Sequence, residues 1–175
     1  MPRSRAVRAA AVAAAVLIAA LGWYLGSPLF IRTTANEALP TAAASAAPSA
    51  AATPGASAAA TATGPQVLAR GELGYVDPLH NGTGPVTIVR VGEQRFVRFE
   101  NVSITNAPDV HVYLSRESEG KWTEATSLYL GALKATNGSF NYDIPASADV
   151  ALYQSVVVWC RAFAVLITWA DLKPL

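Results

Sequence analysis

Cys160 is the single cysteine of the 175-residue chain, and it closes the apolar run Ser155-Val-Val-Val-Trp-Cys160. A lone thiol has no internal partner for a disulfide. Four uses remain: a packing residue, a ligand, a redox group, or half of a bond between two chains. Packed among valines, a thiol is a small and inert hydrophobe. At a strand end beside Arg161 it would meet solvent and could exchange electrons. The residues alone leave both readings open. A bond between chains is the least favoured, because an inward-facing side chain reaches another chain only after local opening.

His80 and His111 are the only histidines. With Cys160 they make a nominal two-His, one-Cys set of the kind copper electron-transfer sites use. Those sites gather Cys and His on one C-terminal loop, and no histidine follows Cys160. Haem fares no better: Met1 is the only methionine, and Cys-x-x-Cys-His is absent, so neither a Met/His axial pair nor covalent attachment can be built. The cofactor is therefore unknown, with haem and copper unsupported by ligand spacing and no metal site assigned. His80 reads as a turn residue beside Asn81-Gly82, and His111 as projecting toward solvent with Tyr113.

Other catalytic patterns are missing. There is no Gly-x-Gly-x-x-Gly, phosphate loop or Gly-x-Ser-x-Gly elbow, and two histidines offer little material for acid–base work. Glu117, Glu119 and Glu124 form a solvated loop around Trp122. That tryptophan either anchors a carbohydrate or protein partner or packs over a sheet edge, the commoner use. The sequons at Asn81, Asn101 and Asn137 matter only where the cell N-glycosylates.

Short β-type segments must position these groups. Strands are expected at Gln66 to Tyr75, Val86 to Val91, Arg95 to Val102, Val110 to Ser115, Leu128 to Leu133, Ser139 to Ile144, Ser155 to Cys160 and Phe163 to Ala170. Turns fall at Asn81 to Pro85, Val91-Gly92-Glu93, Ala107-Pro108-Asp109, Asn137-Gly138 and Ile144-Pro145, with a helical turn within Ser147 to Tyr153. The expected fold is all-β, an antiparallel β-sandwich of about eight short strands. Alternation puts Val110, Val112 and Leu114 on one face and His111 and Tyr113 on the other, with Phe140, Tyr142 and Ile144 inward. Cys160 shares the Val156/Val158 face, and Arg161 points away. The last two strands are almost wholly apolar, as strands covered on both sides are.

Residues 1–32 read as a basic cytoplasmic end followed by a transmembrane helix. Arg3, Arg5 and Arg8 precede 23 uncharged positions, Ala9 to Ile31, a run of about 35 Å as a helix. The positive-inside bias puts the N-terminus in the cytoplasm and the remainder outside, as a single-pass protein of the cell membrane. A cleaved signal peptide competes, but small residues at alternate positions do not follow the apolar core. Residues 33–66 read as a flexible Ala/Pro/Ser/Thr-rich linker, uncharged from Ala38 to Ala69 and spanning about 30 Å. Residues 67–175 remain for one folded domain. It carries nine of the 13 Lys+Arg and eleven of the 12 Asp+Glu, a balance that argues against nucleic acid as a partner.

Four motifs resemble one family in order and spacing: Asn106-Ala-Pro-Asp-Val-His-Val-Tyr-Leu-Ser115, Leu130-Gly-Ala-Leu-Lys134, Gly138-Ser-Phe-Asn-Tyr-Asp-Ile-Pro145, and Tyr153 through Leu172 around Trp159-Cys160-Arg161. This is the DM-thirteen domain, the Skeletor-type domain related to the DOMON superfamily, and the resemblance covers residues 70 to 172. It implies a β-sandwich and an electron-transfer role centred on Cys160, as a bare thiol or as attachment for a prosthetic group such as haem. His111, with Asp109 in the Pro-Asp-x-His-Val-Tyr-Leu-Ser stretch, is the second cofactor-binding candidate. The expectation is an accessory redox module of the cell envelope, with a protein or small ligand as partner there, rather than a stand-alone enzyme. The alternative is a non-catalytic adhesion or ligand-binding module in which Cys160 is structural.

Overall fold

The computed structural model describes residues 2–27, 31–40 and 64–175. Helix α1 runs from Pro2 to Gly26. Its 22 residues Arg5–Gly26 are long and apolar enough to cross a membrane, and none is buried against the rest of the chain. At ~1.5 Å per residue they span about 33 Å. A signal sequence meets the same criterion. The regular helix stops five residues short of Ile31, the expected end of the apolar segment.

Eleven strands follow among the described residues: β1 (Thr34–Asn36), β2 (Gln66–Glu72), β3 (Gly82–Thr83), β4 (Pro85–Val91), β5 (Gln94–Ile104), β6 (Val110–Ser115), β7 (Leu128–Ala132), β8 (Asn137–Ile144), β9 (Ser155–Cys160), β10 (Val165–Asp171) and β11 (Lys173–Pro174). They form two sheets. One has the order β1-β8-β5-β4-β2-β11 with β3 also on β5, and the other has the order β10-β9-β6-β7. All eight expected strands are present. The two-residue strands β3 and β11 lack enough alternation to be read from sequence.

Both sheets contribute to one apolar cluster. Val86, Ile88, Val97, Phe99, Phe140 and Tyr142 come from the larger sheet, and Val112, Leu114, Val156, Val158 and Ile167 from the smaller. Phe99 stacks on Phe140 with ring centroids 5.0 Å apart, and Tyr142 meets Phe99 edge-on. Two expectations change here. Strand β10 is a sheet edge with several half-exposed residues, so of the two apolar strands only β9 is central. Asn137-Gly138 is not a turn: it opens β8, with Gly138 at φ +101° between β1 and β5.

Strand β1 lies within the segment expected as linker from residue 33. Thr34–Asn36 pairs parallel with Asn137–Ser139, the one parallel ladder among the described residues, whose other ladders are antiparallel. Thr33 and Thr136 exchange hydrogen bonds through backbone and hydroxyl groups at 3.0–3.1 Å. The Glu37 carboxylate accepts from Lys134 Nζ at 2.9 Å and from the Asn141 amide at 2.9 Å. A β segment this short and polar has no hydrophobic periodicity; its partners make it a strand. Residues 41–63, most of the expected linker, lie outside the described residues.

Burial pushes the Glu37 carboxyl up, but hydrogen bonds and charge from Lys134 and the bonds from Asn141 outweigh it and hold the pKa below its ordinary value. A carboxyl with a lowered folded-state pKa stabilises the fold above its unfolded value and loses that contribution as pH falls through the folded one. The β1 clamp should therefore hold at neutral pH and loosen below about pH 4, where unfolded carboxyls titrate. Amide exchange at Glu37 and Asn141, followed from pH 6 to pH 3 and corrected for intrinsic rates, should show protection falling. Constant protection over that range would refute it.

Candidate functional site

The smaller sheet has two faces of opposite character. Strands β6 and β9 pair with Val110 opposite Cys160 and His111 opposite Trp159, so period-two alternation sends each pair to a different side. Cys160 belongs to the apolar core and has no exposed surface. His111, Tyr113, Val157 and Trp159 lie on the outer side.

A loop covers that outer side, and buried serines place it. Ser115 Oγ donates to Lys121 O at 3.1 Å and accepts from Glu117 N–H at 3.1 Å, while Ser155 Oγ donates to Glu117 O at 2.6 Å. These bonds draw residues 116–123 over the sheet and set Trp122 against it. Trp122 lies 4.5 Å from Tyr113 and 5.0 Å from Trp159, centroid to centroid. Of the two sequence readings of Trp122, packing is the one the geometry supports.

The expectation that His111 and Tyr113 face solvent is overturned: both are buried. His111 Nε2 lies 2.6 Å from Asp109 Oδ1, and Nδ1 lies 3.0 Å from the Tyr129 hydroxyl. A carboxylate can only accept, so in the neutral ring Nε2 carries the proton and Nδ1 accepts from the Tyr129 O–H. Arg161 closes the cluster. Its Nε donates to Tyr113 OH at 2.7 Å, and its guanidinium lies 4.7 Å from the Tyr129 ring centroid. Burial pushes the Tyr113 phenol above its ordinary value, and the bond from Arg161 offsets this only in part.

These contacts form a continuous array, Asp109, His111, Tyr129, Tyr113, Trp122 and Trp159. Neighbouring rings along it stand 4.5–5.6 Å apart. Tyr129 is 46% exposed and gives the array an opening to solvent. The arrangement can move a proton along a fixed hydrogen bond while an electron enters or leaves an aromatic ring.

The candidates named from sequence are not brought together. Cys160 and His111 project from opposite faces of the same sheet, so they cannot ligate one group between them. His80 lies elsewhere, in a turn, with Nδ1 2.7 Å from Asp77 Oδ2. Among the described residues no three His, Cys, Asp or Glu side chains gather as a metal-binding group. A haem or other prosthetic group held jointly by Cys160 and His111 does not fit this geometry. Tyr129 was missed as a partner because it becomes the neighbour of His111 only when β7 pairs with β6, and pairing between separate strands leaves no local signal.

Two β-sheets, the smaller with a core thiol on one face and a hydrogen-bonded aromatic array on the other, define a small all-β domain. The family model described as electron transfer DM13 matches residues 75–172, and the chain belongs to that family. No curated protein and no solved structure matches it.

Proposed function

We propose that this chain is a membrane-anchored, extracytoplasmic electron-transfer module, its two sheets packed as an antiparallel sandwich and its N-terminus in the cytoplasm. Family membership supports the electron-transfer class, and the apolar helix behind three arginines supports the anchor and its orientation. The observation that carries the site is the chain Tyr129–His111–Asp109. A one-electron outer-sphere oxidant takes an electron from Tyr129; the phenolic O–H bond breaks, and its proton bonds to Nδ1 of His111. The products are a neutral tyrosyl radical and an imidazolium that Asp109 holds, and a one-electron reductant reverses the step. The Arg161 cation over the ring opposes a positive charge there, which couples loss of the electron to loss of the proton. Cys160, the family's redox candidate, is fully buried in the apolar core and serves here as core packing.

The test is oxidation of the full-length chain in detergent by photogenerated tris(bipyridine)ruthenium(III), with the trapped radical read by electron paramagnetic resonance. With a positioned base accepting the proton, the tyrosyl signal of the wild type should exceed that of Tyr129→Phe by about threefold or more. Cys160→Ser should retain the wild-type signal. Equal yields in wild type and Tyr129→Phe would overturn the assignment to Tyr129, and loss in Cys160→Ser alone would return it to the thiol.

A further inference from the structure

One end of the β domain is built from the segments that connect its strands nearest to α1. Ile31 N–H still donates to Ser27 O at 3.1 Å, so the chain at Ile31 is within one hydrogen-bonded turn of the helix end. From there it meets the domain at once. Asn106 Nδ2 donates to Ile31 O at 2.9 Å, and Thr33 is fixed to Thr136. The loop after β5 thus sits beside the point where the chain leaves the helix.

Two further segments join that end. Thr105 N–H donates to Asn81 O at 3.0 Å, and Asn81 bridges Tyr75, which ties in the loop between β2 and β3. Arg161 N–H donates to Asp109 O at 2.8 Å, which ties in the turn between β9 and β10. These hydrogen bonds link three segments, the loop after β5, the loop between β2 and β3 and the turn between β9 and β10, to the exit of the helix.

The exit itself, the loop between β2 and β3 and the turn between β9 and β10 carry large apolar side chains that are exposed. Ile31 is 51% exposed, Tyr75 63%, Leu79 68% and Phe163 48%. The two-residue hairpin loop at the opposite end, between β4 and β5, is instead Gly92-Glu93. Tyrosine, phenylalanine and leucine are side chains that gain from the headgroup–acyl boundary. Isolated exposed apolar residues need no explanation, but four on adjoining segments at the anchored end do.

We infer that this end of the domain rests on the lipid surface, with Leu79 and Phe163 entering the bilayer interface and Tyr75 and Ile31 beside them. The occupant of the apolar tip is lipid, because the helix end that would lie in the membrane is held a few residues away. This rests on the reading of α1 as a membrane anchor. The domain is then a membrane-seated body rather than one swinging on a long tether. Asp109 and Arg161 lie in the linked segments, so the Tyr129–His111 array opens close to the membrane and exchanges electrons there.

The test uses the full-length chain in phosphatidylcholine vesicles containing lipid spin-labelled at the headgroup or along the acyl chain. An environment-sensitive fluorophore is placed singly on Leu79→Cys, Phe163→Cys, Glu93→Cys or Leu17→Cys. Labels on Leu79→Cys and Phe163→Cys should be quenched by about half or more, as side chains seated about 5–10 Å into the interface are, and the Glu93→Cys label should not. The Leu17→Cys label reports the anchor by itself, through quenching by acyl-chain spin labels. Quenching at Leu17→Cys with none at Leu79→Cys or Phe163→Cys would overturn the seated tip while leaving the anchor. No quenching at Leu17→Cys would overturn the anchor, and the proposal with it.

Discussion

A thiol reagent added to the folded protein should find no sulfur to modify, although one thiol per chain reacts after denaturation. Cys160 has no exposed surface. It sits in β9 between β6 and β10, opposite Val110 on one side and Val165 on the other. Reaching Sγ requires β10 or β6 to detach, and opening a core strand costs a free energy close to that of global unfolding, about 5–15 kcal/mol. Even the low end suppresses the reactive population by more than about a thousandfold, so the native rate should fall below the denatured rate by at least that factor. The measurement is a stopped-flow aromatic-disulfide assay with and without guanidinium. A native rate within about tenfold of the denatured one would mean that solvent reaches the strand end, and the thiol would regain its claim to the redox step. Cys160→Ser supplies an independent reading. A hydroxyl buried without a partner costs about 1–3 kcal/mol, so the variant should be measurably less stable while its aromatic array stays intact.

That burial shows where sequence reading succeeds and where it stops. Alternation within one strand is a local property, and it correctly separated Val112 and Leu114 from His111 and Tyr113, and Cys160 from Arg161. What alternation cannot say is whether the second face of a sheet is wet. Tyr113 looked solvent-facing because its cover comes from residues 116–123, whose charge pattern reads as a solvated loop, and His111 because its neighbours Tyr129 and Asp109 come from other segments. Two serines with nothing distinctive about their spacing draw that loop down, and Trp122 then seals the face. Strand β1 was illegible for a related reason: Thr34-Ala35-Asn36 has no apolar period, and its structure comes from Gly138, Thr136, Lys134 and Asn141, about a hundred residues away in sequence. The family motifs located the domain but not the site. His111, with Asp109, stood in a matched motif as a cofactor-binding candidate and not as a proton acceptor, and Tyr129 lay just before the next motif. The proposed role rests on β7 bringing Tyr129 to His111.

Gly138→Val should cause the largest loss in the fold and unseat the domain from its anchor. Gly138 has φ +101°, a backbone conformation that costs an L side chain about 1–2 kcal/mol or more. Space is worse than conformation. A Cβ there would lie 2.1 Å from Ala35 O and 2.9 Å from Asn36 Oδ1, and the first of these is backbone that cannot swing aside. Either β8 distorts against β5 or β1 leaves the sheet. The second route is cheaper, because β1 is three residues long and sits at an edge. Losing it also withdraws Glu37 from Lys134 and Asn141, so the total cost should be about 3 kcal/mol or more, at the upper end for a single substitution. Gly74→Ala is the control: its nearest heavy atoms are 3.5 Å away and its backbone is unstrained. Exchange protection at Glu37 should vanish in Gly138→Val and persist in Gly74→Ala. Quenching of a fluorophore on Phe163→Cys should fall in the same background while that on Leu17→Cys is unchanged, because the anchor remains inserted and only the clamp between anchor and domain is lost. Full protection at Glu37 in Gly138→Val would show that β1 tolerates the added side chain, and the clamp would then not be what seats the domain.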